Sequence, residues 1–327
     1  MYSRMITATL LALLVITGVM LSLVLEGIAA EKVRFADPFK WAPPYVLARE
    51  AIEENNYWEK LGLQVEWIGF RGGADMHRAL SAGAIDVALS GTTGIIFALA
   101  GGAPELMVAR WESAPNYSIW VLTNSPLRKP RDIKGRKVGV FRVASTTTAY
   151  GLLAIKRVGL TEKDVKFIGV GGQPERVAAL KAGAIDGFVQ AYSSNANLIA
   201  KGEIRPLINI GNYLPKPWIH GAYLAHKDFI GKKPEVVMKT VKGIFQGIDF
   251  ARANRAWAAR TLVAKLRFTP AGAKLAVAEG ILYPKLGKKI NRKALQNVIN
   301  FMVEYGIVKR ERVPPIDSML YPSEFTR

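Results

Sequence analysis

Two stretches of the chain superimpose without a gap. Val65–Asp86 reads VEWIGFRGGADMHRALSAGAID, and Val165–Asp186 reads VKFIGVGGQPERVAALKAGAID. Eleven of the twenty-two aligned positions are identical, and Trp67 stands opposite Phe167. A match of that length marks a duplicated structural unit, so whatever the chain builds, it builds twice.

Each copy carries the same local logic. A short apolar strand (Val65–Ile68, Val165–Ile168) leads through a Gly-containing turn into a short helix bearing Met76, Ala79 and Leu80, or Val177, Ala179 and Leu180. Gly83 and Gly183 fall where a helix ends on a residue with positive φ, which glycine adopts cheaply. A second strand then starts at IDVALSG or IDGFVQA. Upstream, KVRFA (Lys32–Ala36) and KVGVF (Lys137–Phe141) each read as a strand followed by a loop and a helix. The order is therefore β-α-β-α-β, twice, which implies right-handed crossovers onto mostly parallel sheets.

The remainder reads as mostly helical. GAYLAHKDFI reads as a strand that returns the chain to the first lobe. Pro234 suits the first turn of a helix, and Val237, Val241, Ile244, Phe245 and Ile248 mark one face of it at 3.6 spacing. A later helix starts at Asn291, uses Leu295, Val298, Ile299 and Met302, and ends by Gly306. The fold class is thus α/β: two similar lobes joined by a hinge of two crossings, near VLTNSP and near YLPKPWIHG, with a helical C-terminal part. In residues, 1–30 form an export signal or signal anchor, 31–122 the first segment of lobe 1, 123–217 lobe 2, and 218–327 the return to lobe 1 with the C-terminal helices.

The opening segment carries Arg4, an uncharged apolar run from Met5 to Leu25, and then small residues ending at Ala30. That pattern is an export signal, cleaved after Gly27-Ile28-Ala29 or Ala30, or retained as an anchor. Export puts the remaining chain in the periplasm. The sequence has no cysteine, so disulfides, thiolate metal sites and cysteine nucleophiles are excluded. The formal net charge is +19. Its basic residues are dispersed, and the densest runs, RKPRDIKGRK and KLGKKINRK, match no nucleic-acid motif; a basic surface also attracts small anions.

Ligands of open α/β sheets sit beyond the carboxyl ends of the strands, so the loops there are the candidate site. After the first strand, Trp41 and Tyr45 offer an aromatic wall or, equally, packing against the next helix. Ser90, Gly91, Thr92 and Thr93 follow IDVALS and open an apolar helix; their hydroxyls and free N–H groups suit an anionic or polar group, with helix capping by Thr92 or Thr93 as the alternative. Ser145, Thr146 and Thr147 repeat that arrangement after VGVF, with Arg142 alongside to neutralise an anion. Gln190 and Tyr192 stand where the paired copy has Ser90 and Thr92, and Trp111 ends a strand near the first crossing. No catalytic set or metal-ligand spacing emerges: the three histidines, His77, His220 and His226, are far apart, and His77 reads as a helix-surface or core residue. Asp86 and Asp186 precede their strands, away from the cleft, and read as turn residues. Neither a metal nor a cofactor is expected.

The chain resembles a known family on PPYVLAREAIEENNYWEKLGLQVEW, GADMHRALSAGAIDVALSGTTGIIFALAGGAP, PRDIKGRKVGVFRVASTTTAYGLLAIKRVGLTEKDVKFIGV and ERVAALKAGAIDGFVQA. It is similar to periplasmic solute-binding proteins of ABC transporters, in the nitrate, sulfonate, taurine and thiamine-pyrimidine-precursor group. The resemblance implies a two-lobed type II periplasmic-binding-protein fold. It implies a receptor that hands a small solute to a permease in the inner membrane; a monomer is expected, and with no catalytic set, not an enzyme. The net positive charge, the Ser/Thr clusters and Arg142 favour an organic anion (a sulfonate, nitrate, carboxylate or similar), while Trp41, Tyr45, Trp111 and Tyr192 could equally stack a ring or a cation. By the same resemblance, Ser90–Thr93 and Ser145–Thr147 hold the polar head of that solute. Two other readings stand beside it: an enzyme on the same fold, of the pyrimidine-precursor or menaquinone-pathway type, and a ligand sensor without transport.

Overall fold

The repeated AGAID turn has the same anatomy in both copies. In a computed structural model of the chain, Gly83 and Gly183 take φ of 66° and 70°, the left-handed conformation that the sequence requires there. The Asp that follows locks two strands together. Asp86 Oδ2 accepts from the Arg34 N–H at 2.8 Å while the Asp86 N–H donates to Arg34 O at 2.9 Å. Asp186 Oδ2 accepts from the Lys137 N–H at 2.8 Å, and its own N–H donates to Lys137 O at 2.8 Å. The motif is scaffolding, as its position before each strand implied.

The structure describes residues 30–37, 42–70, 72–112, 116–142, 145–278 and 288–326. The export signal and Trp41 lie outside the described residues. Among the described residues no helix is long and apolar enough to cross a membrane.

Lobe 1 opens with β1 (Glu31–Asp37), α1 (Pro43–Asn55), β2 (Leu63–Gly69), α2 (Gly73–Ser81), β3 (Val87–Gly91), α3 (Thr92–Ala100) and β4 (Glu105–Glu112). Lobe 2 holds β5 (Tyr117–Leu122), β6 (Lys137–Val140), α4 (Thr146–Arg157), β7 (Lys166–Gly169), α5 (Gln173–Lys181), β8 (Gly187–Ala191), α6 (Ala196–Ala200) and β9 (Ile204–Asn209). The chain then returns through β10 (Gly221–His226), α7 (Lys227–Lys232), α8 (Pro234–Ala253), α9 (Arg255–Leu266), α10 (Pro270–Ala278) and α11 (Arg292–Glu304).

Each lobe is a five-stranded sheet, ordered β2-β1-β3-β10-β4 and β7-β6-β8-β5-β9. The duplication therefore extends to topology. In each sheet the strand that runs antiparallel to both its neighbours, β10 or β5, is the strand that has just crossed from the other lobe. This corrects the expected first crossing. Tyr117–Leu122 pairs with β8 and β9, so the chain crosses between Glu112 and Tyr117, not near VLTNSP, and lobe 2 begins before residue 123. The second crossing runs between β9 and β10, through YLPKPWIHG as expected. The return strand is shorter than GAYLAHKDFI: it stops at His226, whose ring accepts the Asp228 N–H and caps α7.

Apolar periodicity explains how the helices seat. Val237, Val241, Ile244, Phe245 and Ile248 of α8 are buried against Val33, Phe35, Leu89 and Tyr223 of the first sheet, each side chain contributing about 1.5–3 kcal/mol of burial. Leu295, Val298 and Met302 of α11 join Met76, Leu80, Ile95 and Ile96 in a core that continues into Ile119, Val138 and Leu153 of lobe 2. The apolar floor thus runs beneath both lobes. Helix α10 reaches lobe 2 as well: the N–H and hydroxyl of Thr269, just before it, donate to Asn197 Oδ1 at 2.9 and 3.2 Å.

Candidate functional site

The two sheets present their carboxyl ends to each other across a cleft of about 1230 Å³. Its lining comes from equivalent places in both lobes: the ends of β3 and β8, the starts of α3 and α4, and the starts of α2 and α5. The lobes touch along one side. Thr93 Oγ1 of α3 and Thr146 Oγ1 of α4 lie 2.6 Å apart. Arg142 of lobe 2 pairs with Asp75 of α2 at 3.4 Å, and the Phe141 ring packs directly on Gly72.

Most of the sequence-predicted residues converge here. Tyr45, Ser90, Gly91, Thr93, Trp111, Arg142, Ser145, Thr146, Thr147, Gln190 and Tyr192 all line the cleft. Thr92 does not: its side chain is buried with the hydroxyl unpartnered among the described residues, and its N–H donates to the His220 carbonyl at 2.7 Å. The capping alternative for this turn is not realised either, because Gly91 is the N-cap of α3 and no side chain caps it. Thr92 was misplaced because a sequence cannot say which of two adjacent hydroxyls at a helix start faces inward.

The second Ser/Thr cluster divides its labour. Thr147 Oγ1 accepts from the Phe141 N–H at 2.9 Å, and the Ser145 and Thr148 hydroxyls each donate to Arg142 O at 2.7 Å. These bonds fold the loop back onto α4. Thr146 is left to face lobe 1.

Aromatic rings form one wall. Tyr45 stacks on Trp111 with centroids 5.1 Å apart and planes 18° apart, and Trp111 meets Tyr223 edge-on at 5.9 Å. Tyr45 therefore does both things the sequence left open: it packs on its neighbour and lines the cleft. In the other lobe, Tyr192 tilts against Trp120.

Three functional groups escaped the sequence reading. Arg176 on α5 lines the cleft yet is only 3 % exposed. Its guanidinium donates to the carbonyls of Gly172, at 3.1 Å, and Val189. Among the described residues it makes no salt bridge, whereas Arg142 and Arg78 both pair with Asp75. Burial draws its pKa down to about 10, so it is a cation at neutral pH. One signal was available: in the aligned repeat Arg176 stands opposite Met76, a charge where the other copy has a fully buried apolar side chain.

The second group is a hydrogen-bonded chain in lobe 1. His77 Nδ1 lies 2.8 Å from Glu105 Oε2 and 3.0 Å from Oε1, and His77 Nε2 lies 3.0 Å from Ser90 Oγ. All three residues are buried, Glu105 completely. His77 is a core residue, as one of the two expected placements had it, but it is also a cleft residue. The third is His220 on the second crossing, which lines the cleft. Tyr150 Oη sits 2.7 Å from its Nδ1, and the Trp218 indole donates to that same Oη at 3.2 Å. Burial lowers the His220 pKa to about 4, so the ring is neutral at neutral pH and shares a hydrogen bond with the Tyr150 hydroxyl.

Comparisons with known proteins agree with this architecture. Residues 44–258 match the family model described as NMT1/THI5 like. The taurine-binding periplasmic protein of Escherichia coli strain K12 is 28 % identical over 197 residues, 60 % of each chain, so the chain spans about three fifths of that relative's length. The alkanesulfonate-binding protein SsuA of Xanthomonas axonopodis pv. citri, solved bound to MOPS, superimposes with a TM-score of 0.76 at 22 % identity, over 90 % of this chain and 100 % of that one. An enzyme also shares the fold. The desulfurization enzyme DSZB, solved in complex with biphenyl-2-sulfinic acid, superimposes with a TM-score of 0.65 at 13 % identity, over 90 % of this chain and 97 % of that one. The sequence resemblance and the α/β periplasmic-binding-protein fold drawn from it are thus borne out: the chain belongs to the NMT1/THI5-like family.

Proposed function

We propose that the chain is an extracytoplasmic receptor that captures a small organic anion between its lobes and delivers it to a membrane transporter. The carrying observation is Arg176: a buried cation in the cleft wall whose hydrogen bonds go to backbone carbonyls and which makes no salt bridge among the described residues. A buried charge without an ion-pair partner is costly, and an anionic ligand offsets that cost. Ser90, Thr93 and Thr146 place hydroxyls around the same space. The Tyr45–Trp111 stack and Tyr192 accommodate an apolar body behind the charged head. The net charge of +19 favours anion encounter.

Taurine and alkanesulfonates, the ligands named for the relatives, fit this description, as do carboxylates of similar size. Export by the N-terminal segment would put the receptor where such a solute is met. Thermal unfolding in the presence of a panel of organosulfonates, carboxylates and their uncharged isosteres tests the reading. An anion at about 100 times its Kd stabilises the fold by about 2.7 kcal/mol, and uncharged isosteres leave the transition where it was. A panel in which no anion raises the transition counts against the receptor.

A further inference from the structure

The buried chain Glu105–His77–Ser90 ends on a cleft-lining hydroxyl, and two glycines keep the space around that hydroxyl open. A Cβ at Gly73 would lie 3.7 Å from Ser90 Oγ, and one at Gly94 would lie 3.4 Å from it and 3.5 Å from His77 Nε2. The His77 and Ser90 polar atoms therefore border space that an entering ligand can reach.

With Glu105 ionised, hydrogen-bond bookkeeping along this chain has two solutions. The carboxylate accepts only, so His77 Nδ1 carries a proton and donates to it. With a neutral imidazole, Nε2 has a lone pair, and the one Ser90 proton points at it. The hydroxyl then shows only lone pairs to the cleft, which repel an anion. With an imidazolium, Nε2 donates to Ser90 Oγ, and the Ser90 proton turns outward as a donor. Ser90 offers a proton to an anion only in the second state.

Charge balance points the same way. Glu105 is fully buried, and His77 becomes its ion-pair partner only when protonated. Among the described residues no other cation pairs with it. On α2, Asp75 and Arg78 pair with each other, and Asp75 also engages Arg142 from lobe 2. Helix α3 has no charged residue. On β10, His226 is in register with Glu105, but its ring Nδ1 accepts the Asp228 N–H. Beside a neutral His77, the arriving anion meets a second buried negative charge. A proton on His77 removes that repulsion and leaves the ligand facing Arg176.

We propose that the Glu105–His77–Ser90 chain makes anion capture proton-coupled: an anion accepting the Ser90 hydroxyl is taken up with one proton, which lodges on His77. His77 and Glu105 are positioning residues that set the direction of the Ser90 donor, and through it the preference for anions over neutral solutes. The inference rests on the receptor reading, with that same cleft as the site.

Calorimetric titration of the full chain with methanesulfonate, ethanesulfonate and taurine tests it. Methanesulfonate and ethanesulfonate have no group that titrates in the working range, so with these two any proton taken up goes to the protein, and taurine serves for affinity alone. Imidazole, triethanolamine and Tris are suitable buffers, being cationic and different in ionisation enthalpy. The expected result is net proton uptake on sulfonate binding between pH 6.5 and 8.5, with affinity weakening as pH rises. Binding with no proton uptake between pH 6.5 and 8.5 overturns the proposal and leaves the receptor standing. Binding by no anion overturns both.

With only three histidines in the chain, ¹⁵N-histidine NMR reads the site directly. One imidazole, identified by its loss in His77→Gln, goes from a neutral tautomer to imidazolium on ligand addition. The Ser90→Ala variant retains the His77–Glu105 pair but loses the uptake and the NMR change. Uptake that persists in Ser90→Ala, or a change confined to His220, overturns the assignment.

Discussion

Thr93 and Thr146 share a hydrogen bond of 2.6 Å across the cleft, one hydroxyl from each lobe. Each lies within the first turn of a helix that follows one of a sheet's inner strands. Hydroxyl-bearing helix starts of the same kind thus supply both jaws. Thr146→Val keeps the shape and removes the hydroxyl. A hydrogen bond of this kind is worth about 1 kcal/mol, so the free protein, which makes this bond, should lose no more than about 1 kcal/mol of stability, and ligand affinity should weaken about fivefold in calorimetry.

The buried tyrosine behind the aromatic wall offers the opposite sign. Tyr223 is fully buried on β10, and its hydroxyl has no hydrogen-bond partner among the described residues. Burial raises its pKa well above the ordinary tyrosine value, which keeps the phenol neutral. Tyr223→Phe removes a desolvated hydroxyl without changing the ring contacts to Trp111 and Phe245. Stability should rise by about 1 kcal/mol, roughly 2 °C in the thermal transition, and ligand affinity should stay the same.

The repeated Asp residues are unequal despite their shared role. The Asp86 side chain is 8 % exposed and holds Arg34 at 2.6 Å, while that of Asp186 is 34 % exposed with Arg136 at 3.7 Å. Asp86→Ala strands a backbone N–H and should cost about 1–3 kcal/mol in denaturant unfolding. Asp186→Ala should cost less than about 1 kcal/mol. Neither should alter ligand affinity, because neither residue lines the cleft.

His220 sets a pH dependence on the second crossing. Its folded pKa is about 4, below the ordinary histidine value of about 6.5. Between those values the unfolded chain binds a proton that the folded chain refuses, so this group lowers stability as pH falls from about 6.5 toward 4. Above that window it contributes nothing to the slope. Urea midpoints at pH 7.5 and 5 should differ less in His220→Asn than in the parent protein.

The duplication made the architecture readable, since it fixed two lobes, their sheets and the loops that face each other. It also concealed the first crossing. The segment YSIWVL reads as a strand, but the two sheets have the same order, and an apolar strand carries no address for one sheet over the other. Ser90, Thr93, Ser145, Thr146 and Gln190 could be assigned to the cleft lining because they lie at or just after the carboxyl ends of strands. Glu105 was missed because it lies 28 residues from His77, joined to it only when the start of β4 lands beside α2. Arg176 was missed because a helical Arg ordinarily reads as a solvated surface residue.

The central claim is that the cleft binds organic anions through Arg176, and the most direct measurement is a calorimetric titration of ethanesulfonate into the parent protein, Arg176→Lys and Arg176→Met. One ligand should bind per chain in the parent protein. Truncating a buried charge contact costs about 2–5 kcal/mol, so Arg176→Met should lose at least about thirtyfold in affinity at an unchanged circular dichroism spectrum. Arg176→Lys should fall between the two, keeping the charge but not the forked donor. Affinity in Arg176→Met equal to that of the parent protein would contradict the account.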